Sequence, residues 1–175
     1  MQLETKRLFL RSPVCADAQR YTQIHNSEFV LRFNAMQPTT VEWMAQKFQD
    51  KESTENTVLL QEKETKNLIG AIFLEEDDLR YGVNSKCLSY FMDKAYTRKG
   101  YMKEAMQAVI CHLFETEKCE CISARVFAPN IASRALLRSL GFRENGILPY
   151  CVKGYTGEIF DDVIHTLFPA DFYKE

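Results

Sequence analysis

The order of periodicities along this 175-residue sequence predicts one α+β domain over residues 1–175, a sheet sandwiched by helices. Three observations carry the expectation. Strand-length apolar runs outnumber helical stretches, and three of them follow one another between Thr57 and Met92. A long amphipathic helix then separates the third of these from a further strand, a spacing that suits a parallel crossover. No repeat, low-complexity segment or linker interrupts the chain, whose length suffices for one substantial core.

Taken in order, residues 3–11 alternate, with Leu3, Thr5, Arg7, Phe9 and Arg11 on one face, and read as a first strand whose firmest part is RLFLR. Ser12-Pro13 reads as a helix start, serine as N-cap and proline at the first helical position, for a helix reaching His25. Residues 26–37 hold no clean period; they form either a lid or substrate wall, or an ordinary connection packed on the core. Thr39 and Glu42 have capping-box spacing ahead of a second helix, in which Trp43 reads as core. Strands at 57–61 and 68–74 flank the polar turn EKETKN as a hairpin, and a polar connection carrying EEDD leads to a third strand, LSYFM. From about Gly100 to Glu117, Ala105, Met106, Val109, Ile110, Leu113 and Phe114 recur on one stripe, the core face of a helix. A strand at 119–127 is ended by Pro129-Asn130; a short helix at 131–140 has Gly141 just past its end. Strands near 142–150 and 160–168 flank the loop VKGYTGE.

Composition narrows the function classes. Net charge is −2 and no long basic block occurs, so nucleic acid is not an expected partner. There is no membrane-length apolar run and no signal-peptide h-region, so the expected setting is cytoplasmic, with no membrane partner. The six cysteines then read as free thiols. Cys119 and Cys121 form a C-x-C pair with His112 upstream, but no second pair completes a ligand set, and alternation within a strand explains them better; no metal is expected.

The stretch LSYFMDKAYTRKGYMKEA, residues 88–105, carries the chemistry. It passes from a strand through a loop with Arg98, Lys99 and Gly100 into the long helix. The first turn of a helix has unpaired N–H groups and a positive dipole end, so this geometry holds a phosphate. Two cations at such a terminus cost dipole energy unless an anion sits beside them.

This stretch, the opening LETKRLFLR, the Leu68-Ile69-Gly70 segment and NIASRALLRSLGF at 130–142 together resemble the GNAT superfamily of N-acetyltransferases, in particular the RimJ/RimL-like ribosomal-protein N-terminal acetyltransferases. The resemblance covers nearly the whole chain. It implies a three-layer sandwich: a mixed, mostly antiparallel twisted sheet, helices on both faces, and a V-shaped splay between the fourth and fifth strands in which acetyl-CoA lies. The family's pyrophosphate loop, Q/R-x-x-G-x-G/A, falls on Thr97, Arg98, Lys99, Gly100, Tyr101 and Met102; Gly100 matches, while Thr97 and Met102 depart. Backbone N–H groups do most of such binding, so the loop works if the Met102 side chain points away. Arg98, Lys99 and Lys103 would add charge. Phe91 and Met92 would pair their backbones with the pantetheine amides, and Asn130 and Ser133 would face the same gap.

Acetyl transfer needs a neutral amine, a stabilised thioester oxygen and a stabilised leaving thiolate. Much of the superfamily supplies a tyrosine seven residues after the asparagine; here that residue is Leu137. The subgroup's serine maps to Ser133, the expected catalytic hydroxyl. The subgroup's glutamate at the start of the fourth strand maps to Cys87, a poor base. Glu75, Glu76, Asp161 and Asp162 are replacements, each with a solvated or turn role as the plainer reading. None of His25, His112 and His165 is expected to be catalytic. The implied function is acetyl transfer from acetyl-CoA to a primary amine, of a small molecule or a protein N-terminus, by a monomer or homodimer. A second reading is an acyl-CoA-binding sensor without turnover.

Overall fold

In the computed structural model, which describes residues 1–174, the alternating N-terminal run is not one strand. It turns back at residues 5–7 into a hairpin of β1 (Gln2–Glu4) and β2 (Leu8–Arg11), with Leu3 opposite Leu10. The Thr5 N–H donates to Leu8 O at 2.9 Å, and the Leu8 N–H donates to the Thr5 hydroxyl at 3.0 Å. Alternation hides such a turn because the threonine side chain, not glycine or proline, closes it.

Ser12-Pro13 does not start the first helix. Val14 is extended, a 3₁₀ turn covers Cys15–Asp17, and α1 runs Ala18–His25. The side chain that organises this entry is Asp17, which accepts from the Val14 N–H at 2.8 Å and from both Nη atoms of Arg11 at 2.7 Å. Three short helices follow: α2 (Glu28–Leu31), α3 (Val41–Lys47) and α4 (Lys51–Glu55). The cap of α3 is Thr40, one residue later than the spacing suggests, with its hydroxyl accepting from the Trp43 N–H at 3.2 Å. Trp43 is not core. It is 51% exposed and carries Lys47 Nζ 5.3 Å from its ring, because α3 turns Met44 and the following Phe48 inward instead.

Next comes an antiparallel meander of β3 (Thr57–Glu62), β4 (Leu68–Glu76) and β5 (Ser85–Met92). Strand β4 runs on through Glu75 and Glu76, which sequence assigns to a polar connection. Gly70 is required there: a Cβ would lie 2.5 Å from Phe91 O on β5. The chain continues with α5 (Tyr101–Glu115), β6 (Cys121–Phe127), α6 (Ile131–Ser139), β7 (Arg143–Lys153), β8 (Ile159–Leu167) and α7 (Pro169–Phe172).

The strands form one mixed sheet in the order β1-β2-β3-β4-β5-β6-β8-β7, antiparallel at every junction except β5–β6. Its two faces bury two cores. On one, Met106, Val109, Ile110 and Leu113 of α5 and Leu137 of α6 pack on Leu8, Leu60, Ile72 and Ile122. On the other, Tyr21, Ile24, Met44 and Phe48 pack on Leu59, Ala71 and Phe91. Helices therefore cover both faces, as expected of a three-layer sandwich. The parallel β5–β6 ladder pairs only Ser85, Lys86 and Cys87 with Cys121, Ile122 and Ser123, although β5 continues to Met92 and β6 to Phe127. At the far edge, β7 shifts register against β8 between Glu144 and Gly146 and again between Leu148 and Val152. Tyr150 stands there at φ 53°, its N–H donating to Asp161 Oδ1 at 2.9 Å. Among the described residues, no helix is long and apolar enough to cross a membrane.

Candidate active site

Beyond the paired part of β5 and β6 lies a cavity of about 490 Å³. Its walls are residues 87–91 of β5, residues 125–127 of β6, Asn130 and Ser133 at the start of α6, and residues 33–36 after α2. Asn130 caps α6 with its Oδ1, which accepts from the Ser133 N–H at 3.2 Å. The Tyr90 hydroxyl reaches across from β5 to within 3.5 Å of Ser133 O. Residues 34–36 thus line the cavity, which favours the wall reading of the segment after α1.

The same lining carries the carboxylates Glu75, Glu76, Asp78 and Asp162, with Arg125 among them. Arg125 donates to Asp162 Oδ2 at 3.2 Å and to Cys151 Sγ at 3.0 Å. Burial raises the Asp162 pKa above the usual carboxylate value, partly opposed by Arg125. Asp161 instead serves the backbone of β7. Cys87 lies opposite Glu75 in the β4–β5 register. Burial, then the negative charges of Glu75 and Asp77, push its thiol up to about 12, so it stays protonated and cannot accept a proton. A second cavity of about 900 Å³ under α1, α3 and α4 meets the first at Met36, Phe73 and Glu75. Glu75 therefore stands where the two meet.

The loop before α5 follows the end of β5 and packs against Arg7 of the N-terminal hairpin. Arg98 is in the left-handed region at φ 60° and Gly100, at φ 81°, caps the helix. Glu104 N–H, bonded to Gly100 O at 3.0 Å, closes the first turn, so the N–H groups of Tyr101, Met102 and Lys103 precede the first intrahelical bond and sit at the positive helix end. Met102 is buried in the core against β-sheet residues, so its bulk points away from the loop. Tyr101 lies under the Arg7 guanidinium, 4.3 Å from its ring centre, and its hydroxyl donates to Glu62. Lys99 and Arg98 are exposed and Lys103 is half-buried. An open helix end, three cations and a small residue fit a pyrophosphate.

That loop is held from a distance. Arg7 Nη1 donates to Lys99 O at 2.8 Å and Nε to Glu104 Oε2 at 2.6 Å. Glu104 Oε1 accepts from the Thr5 hydroxyl at 2.6 Å and the Arg7 N–H at 2.8 Å. Burial alone would raise the Glu104 pKa; these hydrogen bonds outweigh it and hold the carboxyl below its ordinary value. Sequence gives no sign of this latch, whose partners are 97 residues apart.

Of the residues singled out from sequence, Phe91, Asn130 and Ser133 line the cavity. Met92 is buried in the α5-side core, and Arg98, Lys99, Gly100, Tyr101, Met102 and Lys103 form the loop and helix start outside the cavity lining. The histidines are otherwise engaged. Both His25 ring nitrogens have neighbours, Asn26 Oδ1 at 2.9 Å and Met36 Sδ at 3.3 Å. His165 is fully buried with its pKa lowered by that burial, and His112 stands 3.4 Å from Glu117. Tyr90 and Arg125 in the cavity lining and the Arg7–Glu104 pair behind the loop were missed by sequence reasoning; for Tyr90 the two-residue alternation of LSYFM was the available signal.

Helices on both faces of a mostly antiparallel sheet, a parallel junction that opens on a cavity, and a basic helix start after β5 are shared with solved acetyltransferases. The solved ribosomal-protein-S5-alanine acetyltransferase from Vibrio fischeri superposes with a TM-score of 0.86 over 99% of this chain and 100% of its own, at 18% identity. A spermidine N-acetyltransferase from Vibrio cholerae, solved in complex with CoA and spermine, gives 0.81 over 95% of this chain and 98% of its own, also at 18% identity. The chain belongs to the GNAT acetyltransferase family: the family model for an acetyltransferase (GNAT) domain matches residues 7–143. By class it is therefore a member of an acetyltransferase family. Among curated relatives, the probable N-acetyltransferase YjcK of Bacillus subtilis (strain 168) is 35% identical over 86 residues, 49% of this chain. The match spans about half of YjcK, 47% of its length.

Proposed function

We propose that this chain transfers the acetyl group of acetyl-CoA to a primary amine by direct attack in a ternary complex. The observation that carries the reading is the cavity beyond the paired part of β5 and β6, walled by residues 88–91 on one side and Asn130 and Ser133 on the other. When bound, acetyl-CoA supplies the thioester carbonyl that the amine attacks. The N–H groups of Tyr101, Met102 and Lys103 hold its pyrophosphate, with Arg98, Lys99 and Lys103 adding charge. The β5 edge at Phe91 and Met92, which lies past the β5–β6 ladder, aligns its pantetheine arm as an added strand. Ser133, on the first turn of α6, offers its hydroxyl to the sulfur.

Glu75, at the meeting of the two cavities, takes the proton from the acceptor ammonium, directly or through water. Cys87 takes no part in that transfer. The carboxylates Glu75, Glu76 and Asp78 around the cavity suit a cationic acceptor, either a polyamine, as in the spermine-bound Vibrio cholerae enzyme, or a protein α-amine. The test is CoA release, followed with a thiol reagent, on incubating acetyl-CoA with spermine, spermidine and peptides beginning in alanine or serine. Release with one of these supports the reading. The thiol at the family's glutamate position favours a second reading, an acyl-CoA sensor; binding of acetyl-CoA by calorimetry without release across the panel decides for it.

A further inference from the structure

We infer that Tyr90 is a catalytic residue whose hydroxyl donates a hydrogen bond to the sulfur as it leaves in acetyl transfer. The inference rests on the proposed reading of the β5–β6 cavity as the acetyl-CoA site, and it adds a second donor beside the Ser133 hydroxyl. A departing thiolate is stabilised by a fixed donor in a site shielded from water. Helix α6 supplies no tyrosine for this, since Leu137 occupies the corresponding position and is fully buried in the core.

The sheet supplies one from another direction. Along β5, side chains alternate: Phe91 packs on the α1 side, whereas Leu88, Tyr90 and Met92 pack on the α5–α6 side. The Tyr90 ring therefore lies in the cavity wall and aims its hydroxyl at the first turn of α6, where Asn130 and Ser133 line the same cavity. Its contact there is with Ser133 O at 3.5 Å, the outer limit for a hydrogen bond, so the hydroxyl proton is weakly committed. A sulfur between β5 and α6 offers a better-placed acceptor.

Burial pushes the Tyr90 phenol up to about 12, with the Ser133 side chain pulling the other way. A thiol ionises near ~8.5, so the proton stays on Tyr90 and is shared with the sulfur, not transferred outright. The step balances without further reagents. The amine nitrogen forms the C–N bond, the C–S bond breaks with its electron pair on sulfur, and the proton lost by the amine reaches the thiolate through solvent.

The test is Tyr90→Phe, which removes one oxygen and keeps the ring packing. The measurement uses whichever acceptor from the amine and peptide panel the wild-type protein turns over fastest. The expected result is a kcat about 10²-fold lower, the usual effect of deleting one such donor, with acetyl-CoA affinity by calorimetry unchanged. With the acetyl selenoester analogue of CoA, whose leaving group needs less stabilisation, the deficit shrinks. Wild-type kcat in the variant, or a deficit of equal size with thioester and selenoester, overturns the assignment of Tyr90 while leaving the acetyltransferase reading intact. A wild-type protein that binds acetyl-CoA yet releases no CoA with any acceptor overturns that reading, and the role of Tyr90 with it.

Discussion

Glu104→Gln probes how the N-terminal hairpin holds the loop before α5. The carboxylate accepts three close hydrogen bonds, from the Thr5 hydroxyl, the Arg7 N–H and Arg7 Nε. Its side chain is 19% exposed and that of Arg7 39%. Breaking one side of a fully buried pair costs about 3–5 kcal/mol, and an exposed pair is worth about 0–1 kcal/mol. This pair lies between those limits. Solvent screening at Arg7 discounts its ionic part, and glutamine keeps one acceptor oxygen. The expected loss is about 2 kcal/mol at pH 7, or about 4–8 °C in Tm for a chain of this size. Because the folded-state pKa of Glu104 is depressed, its contribution is present above the ordinary carboxylate pKa and is lost as pH falls through the folded value. Urea unfolding of both proteins at pH 7 and in steps toward pH 3.5 checks this. The gap between them should be open at neutral pH and close in acid. Equal stability at pH 7, or a gap that persists unchanged in acid, would refute the latch.

Three further outcomes follow from the same geometry. Gly100→Ala forces a side chain into the left-handed region at φ 81°, with its Cβ 3.4 Å from Arg7 Nη2; stability should fall by about 1 kcal/mol and acetyl-CoA affinity should weaken in calorimetry. Leu137→Tyr restores the family's tyrosine in name only: the site is fully buried, so overpacking should cost about 1–3 kcal/mol in thermal unfolding, and kcat should not rise. Cys87→Glu sets a carboxylate opposite Glu75 and near Asp77, where burial and like charge raise its folded-state pKa. The variant should be less stable than the parent at pH 7 and recover as pH falls below that raised value, which denaturation at several pH values reads directly.

Where neighbours in sequence are also neighbours in space, the sequence was legible. The meander of β3 to β5 follows from its strand runs, and the helix α5 from the stripe of Met106, Val109, Ile110 and Leu113, all fully buried. Asn130 caps α6 as its residue type suggests. The failures have one physical root, namely contacts that no local pattern encodes. The turn at residues 5–7 is held by Glu104 from α5 as well as by Thr5. Trp43 has apolar neighbours in sequence, but tertiary packing chose Met44 for the inward face. In the candidate site, Phe91, Asn130 and Ser133 could be placed because motifs mark them. The alternation of LSYFM sets Tyr90 on one face with Leu88 and Met92, but nothing local says that this face meets the cavity, and no motif marks Arg125.

An open sheet leaves two strands with unpaired backbone, and here each is guarded differently. β1 has only three residues, too few to template another chain. β7 has eleven, enough to recruit a stray strand from a partly unfolded copy, but its two register shifts break the straight run of donors and acceptors that such recruitment needs. Asp161 accepts from the Tyr150 N–H in the second kink and so fixes that break in the edge.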